Sequence, residues 1–265
     1  MRTREWALGS SGGRASGVSP VWGFAVLGMY FVIMPMIQGV ILQEWGIGSG
    51  GGQGLRERTL AFWLNYGLFV PVLGVWLVRC RGSTSGDRTE VGRALAQGVM
   101  GFMVVLPVVG LASAAGGMAE AFIRGERPDA IAHQTLQSMT NADRDGWWWL
   151  AAAGLATLTP ACEEVIFRGT ILRMFKEVGL QGVSGTVGQR ARTSVGWAAI
   201  VLSSIVFAGM HASVVPISAL PALFVLALGL GVMYERTGNL MTPIVMHGLF
   251  NAWNIGMMTL LAQSG

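Results

Sequence analysis

Three short polar clusters interrupt the apolar second half of this 265-residue chain. They read Glu163-Glu164-Val165-Ile166-Phe167-Arg168, Phe207-Ala208-Gly209-Met210-His211 and His247-Gly248-Leu249-Phe250-Asn251. Glu164 and Arg168 are four residues apart, so on a helix they share a face and can pair. Glu163 then points about 100° away and is left free. His247 and Asn251 have the same spacing and can face one cavity. A carboxylate and an imidazole can take and share a water's protons. A second imidazole and a carboxamide can donate hydrogen bonds to an oxyanion. Glu163 with His211 therefore reads as a water-activating pair, opposed by His247 with Asn251 as an oxyanion hole. That set suits hydrolysis of an amide or ester. Just before it, Pro160 removes a backbone donor and crowds the Ala156 carbonyl, which predicts a kink or widened turn.

The elements that must position these clusters are membrane-spanning helices. The chain is 52% hydrophobic and only 12% charged, with a mean hydropathy of +0.53. A soluble domain carries roughly twice that charged fraction. The apolar residues are bunched into runs near the ~20 residues that a helix needs to cross a bilayer. Seven runs are read, at about 21–42, 60–78, 95–118, 147–175, 197–212, 216–235 and 240–262. They are continuous, lack period-2 alternation and are too long for barrel strands. The expected fold is an all-α polytopic bundle of about seven spans, with the site between the fourth, fifth and seventh. Ionisable groups inside spans cost ~2.5–3.5 kcal/mol each on insertion scales and by default mark function. Two of the chain's three histidines fall there.

Charge placement gives an orientation. The net charge is +4, but the basic residues flank apolar runs, which argues for topology signals and against nucleic acid. With seven spans, one side holds Arg2, Arg4, Arg14, Arg79, Arg81, Arg88, Arg93, Arg173, Lys176, Arg190, Arg192 and Arg236. The other holds Arg56, Arg58, Arg124, Arg127 and Arg144. The bias predicts a multi-pass cell-membrane protein with a cytoplasmic N-terminus. Residues 1–20 are expected as a flexible cytoplasmic tail and 21–265 as the membrane domain. The first apolar run is too long for a secretory h-region and reads as a retained span. Residues 46–54 and 179–194 read as Gly-rich loops. In the polar stretch 119–146, Pro128, Ile131, Leu136 and Met139 suggest a short surface helix. Trp147, Trp148 and Trp149 read as an interfacial anchor belt.

At the three clusters the chain resembles the CAAX prenyl endopeptidase type II and bacteriocin-processing proteases, the CPBP or Abi family. The family's Glu-Glu-x-x-x-Arg motif stands at Glu163 to Arg168 with Gly169 following, its Phe-x-x-x-His at Phe207 to His211, and its His-x-x-x-Asn at His247 to Asn251. Asn239, Leu240, Pro243 and Ile244 resemble its approach to the third motif. The resemblance covers about residues 145–255. It implies an intramembrane endopeptidase acting on a membrane-associated, prenylated or otherwise processed peptide. It also implies that Glu163 activates water with His211, that His247 and Asn251 stabilise the tetrahedral intermediate, and that Glu164 and Arg168 support them. Such proteins are often labelled metalloproteases. Glu163, His211 and His247 do match a His₂Glu zinc set in type, yet no His-Glu-x-x-His helix supplies two ligands at once. A metal-free glutamate mechanism is the favoured reading, with zinc as the alternative on the same residues.

Blander roles stand beside each of these. Glu163, His211, His247 and Asn251 can each be interhelical polar contacts. Phe207 reads as packing that shapes the cavity, Cys162 as packing rather than a thiol nucleophile, and His133 as an ordinary loop residue. A proton-coupled transporter using the same ionisable groups is the main alternative, though no internal repeat supports it. A non-catalytic membrane partner is the third.

Overall fold

The structure, a computed structural model, describes residues 20–44, 54–80, 88–125, 134–140, 142–181 and 188–264. The expected tail before Pro20, loop residues 46–53, 82–87 and 182–187, and Pro128, Ile131 and His133 lie outside the described residues. Helices account for nearly all of the rest: α1 (20–44), α2 (Leu55–Cys80), α3 (Arg88–Arg124), α4 (Gln134–Thr140), α5 (Gly146–Gln181), α6 (Gln189–Met210), α7 (Leu220–Thr237) and α8 (Met241–Ser264). Six of them, α1, α3 and α5 to α8, are long and apolar enough to cross a membrane. The run expected at 60–78 is helical within α2. The protein is an all-α polytopic membrane bundle.

Its surface carries the signature of a lipid solvent. On α3, Met100, Met103, Val104, Leu111, Met118, Phe122 and Ile123 are all exposed, a pattern that water would not tolerate but hydrocarbon favours. The enclosed element is α5, half of whose apolar window is buried by neighbours. Val165, Ile166, Phe167, Arg168, Gly169, Thr170, Ile171 and Leu172 are buried in succession. A helix buried all round needs neighbours on every side, and α1, α2, α6, α7 and α8 all touch it. The Glu-Glu-x-x-x-Arg cluster thus sits on the axis of the bundle.

α5 is also the least regular helix. It widens into π-helix at Gly154–Leu158 and again at Val165–Leu172. The first bulge ends at Thr159, whose N–H reaches back to the Gly154 carbonyl. It immediately precedes Pro160, where the sequence predicts a widened turn. Proline has no N–H to continue the ladder, and a π-turn spreads that break over an extra residue.

Two sequence expectations change. α6 starts at Gln189, eight residues before the expected Trp197, and so spans the bilayer before His211 caps its end. The tryptophans do not form one belt. Trp149 is exposed, whereas Trp148 is buried and donates its indole N–H to the Met139 carbonyl of α4 at 3.2 Å. The reason is local: Asp145 caps the helix by accepting from the Trp147 and Trp148 N–H groups, which fixes Trp148 on the inward face. α4 is thereby folded against the ends of α5 and α8, with Met139, Trp148, Ile255 and Met258 in one cluster.

Candidate active site

The site is assembled around His247. Its Nδ1–H donates to Glu164 Oε1 at 2.9 Å, and its Nε2 lies 3.8 Å from Glu163 Oε2. One imidazole is thus held between two sequence-adjacent carboxylates. Glu164 Oε1 also accepts from Arg168 Nη1 at 3.0 Å, so the expected pair forms. Arg168 is almost wholly buried and uses Nη2 on the Ala227 carbonyl of α7 at 3.0 Å. Its guanidinium lies over the Phe207 ring, 5.1 Å from the centroid. Glu164 and Arg168 therefore tie α5 to α7 and α8, and orient His247 from behind. Glu163 is the other carboxylate. Its Oε2 is buried and makes no hydrogen bond.

Phe207 occupies the centre of the site. It packs 4.7 Å from the His211 ring and 5.8 Å from the His247 ring, centroid to centroid. His211 Nδ1 lies 2.8 Å from the Phe207 carbonyl. A carbonyl only accepts, so Nδ1 carries the proton and Nε2 of a neutral ring offers a lone pair. His211 makes no ion pair with Glu163. Asn251 Nδ2 donates to the Leu155 carbonyl of α5 at 2.8 Å, which commits one of its two N–H groups. Glu163, Phe207, His211, His247 and Asn251 all line one cavity of about 340 Å³, within the range of small-molecule and peptide-side-chain pockets.

Pro160 and the π-bulge explain why α8 docks there. The proline has no N–H to offer back to Leu155 or Ala156. Asn251 satisfies the Leu155 carbonyl. At Ala156 the backbone of α8 comes so close that a Cβ on Gly248 would lie 2.6 Å from the carbonyl oxygen. Only glycine fits, and because the obstacle is backbone it cannot step aside. Gly248→Val is therefore expected to push α8 outward and shift His247 next door. A displacement near 1 Å costs about 10²-fold in rate. Peptide-cleavage assays on the purified variant, with a fold check by circular dichroism, measure this.

Zinc requires donors that converge on one point. Among the described residues, no three His, Cys, Asp or Glu side chains do so. His247 Nδ1 is engaged by Glu164 and His211 Nδ1 by its own helix, which leaves Nε2 of each ring open, as the outer hydrogen bonds of histidines do in metal sites.

Residues 145–253, from the cap of α5 into α8, match the family model of the Type II CAAX prenyl endopeptidase Rce1-like proteins. This region is an Rce1-like domain. No curated protein and no solved structure matches the chain. The Rce1-like domain includes all three polar clusters and the π-bulged α5, and leaves α1 to α3 outside the match. The match supports a CAAX-type membrane endopeptidase in general terms.

Two features of the Rce1-like site escape sequence reasoning. The Glu164–His247 bond joins residues 83 positions apart, and i,i+4 spacing reveals only the local Arg168 partner. The Asn251–Leu155 bond uses a backbone carbonyl, to which sequence gives no pointer except Pro160 five residues on.

Proposed function

We propose that the protein is an intramembrane endopeptidase in which Glu163 and His211 activate a water, while His247 and Asn251 hold the oxyanion. The observation that carries this reading is His247 clamped between Glu164 and Glu163. In this reading His247 carries a hydrogen on each ring nitrogen, Nδ1–H toward Glu164 and Nε2–H toward Glu163 and the cavity. His247 then offers Nε2–H as a donor on the cavity side of the pair. His211, protonated at Nδ1, offers a lone pair to orient the water. Glu163 takes a proton from that water as its oxygen attacks the peptide carbonyl. The developing O⁻ receives hydrogen bonds from His247 and the uncommitted Asn251 N–H. Glu163 then passes its proton to the leaving amine as the C–N bond breaks. No step passes through a metal.

The substrate of this reading is a membrane-associated peptide, with prenylated CAAX-type chains the first class to try. The bias of basic residues argues for a cytoplasmic N-terminus. Counted at ~1.5 Å per residue, Glu163 lies ~18 Å from Phe175, at about mid-depth of a ~30 Å core. A fluorogenic peptide ending in farnesyl-cysteine and three further residues can be offered to each face of oriented vesicles. Cleavage from one of the two faces is expected. Proton-coupled flux without cleaved product from either face would favour a transporter and overturn the proposal.

A further inference from the structure

The cavity does not end at the catalytic cluster. It continues along α8 to Asn254, opposite Leu106, Val109, Gly110 and Ser113 of α3. This arm of the cavity has open space at Gly110, where a Cβ would meet no atom within 4 Å. Asn254 follows Asn251 by three positions and His247 by seven, so all three share a helix face. Its carboxamide sits in a largely apolar wall and makes no hydrogen bond to a described residue. It is partly exposed and lines the cavity, where a ligand can reach it.

Building on the endopeptidase reading, we propose that this arm is a substrate subsite in which Asn254 hydrogen-bonds one backbone amide of the bound peptide and Gly110 leaves room for the adjoining side chain. An extended peptide entering an apolar cavity brings N–H and C=O groups that must be paired. A carboxamide can accept from a peptide N–H through its oxygen or donate to a peptide C=O through its NH₂. Seven residues of helix rise ~10 Å, the length of about three extended residues. The contacted amide therefore lies two to three residues from the scissile bond. Neither Gly110 nor Asn254 falls in the Rce1-like match at 145–253, so this subsite belongs to parts of the chain outside it.

The test uses the full chain in lipid nanodiscs and farnesylated fluorogenic peptides. In successive peptides, one backbone N–H within three residues of the cleaved bond is replaced by an ester oxygen. One such ester is expected to lower kcat/KM about tenfold, the size of one lost hydrogen bond. Asn254→Leu should lower it by a similar factor, mainly through KM, and that ester should then cost nothing more. Gly110→Leu should slow peptides with a bulky residue at that position far more than those with glycine. If Asn254→Leu folds poorly, Asn254→Ser serves for the same cycle. Ester and Asn254 effects that simply multiply, or variants that cleave every peptide like the parent, would overturn the subsite while leaving the endopeptidase reading intact. No cleavage of any peptide by the parent protein would remove both.

Discussion

Glu163→Gln is expected to lower kcat for peptide cleavage by about 10²–10⁴-fold, the usual contribution of a general base, with the fold unharmed. The second half of that expectation is the informative one. Glu163 Oε2 is buried and makes no hydrogen bond, and its contact with His247 Nε2 is a long one at 3.8 Å. The neutral amide keeps its shape and sheds the charge. Thermal stability of the variant should stay close to that of the parent, because Glu163 makes no hydrogen bond that the amide would lose. A purely structural carboxylate would behave in the opposite way, with stability falling together with activity. Kinetics and a thermal melt on one preparation read both quantities.

The second large effect falls on Arg168. Arg168→Met leaves Glu164 buried with its cation gone, and frees the Ala227 carbonyl. Removing one partner of a buried ion pair costs ~3–5 kcal/mol, whereas replacing both by apolar residues is often near neutral. The double variant Glu164→Leu/Arg168→Met should therefore regain most of the lost stability. It should not regain activity, because His247 loses the acceptor that fixes its Nδ1–H. Reversible denaturation in mixed micelles, run beside the cleavage assay, separates the two roles. Equal activity in the double variant and the parent would show that Glu164 only balances Arg168.

The legibility of this protein from sequence follows the range of the forces involved. Membrane helices announce themselves because each span must be apolar by itself: the run at 95–118 falls within α3, and those at 216–235 and 240–262 largely coincide with α7 and α8. The Glu164–Arg168 pair was readable because it is local, and the widened turn because Pro160 breaks a ladder whose pitch is known. What could not be read depends on how helices meet. His247 joins Glu164 across two helices, and Trp148 turns inward because α4 folds onto it. Helix ends are poorly marked where polar residues continue a helix out of the bilayer, which is why α6 begins well before the apolar run at 197. The cluster residues were identifiable because polar groups in a span are few. Their division of labour required the hydrogen bonds that set each imidazole's tautomer.

A single-turnover cleavage in H₂¹⁸O tests the chemistry most directly. If a water activated at Glu163 attacks the peptide carbonyl, the new product carboxylate gains one ¹⁸O, the protein's mass never changes during the turnover, and Glu163→Gln yields no labelled product. A peptide found covalently attached to Glu163 or Cys162, or label delivered at the parent rate by Glu163→Gln, would contradict the account.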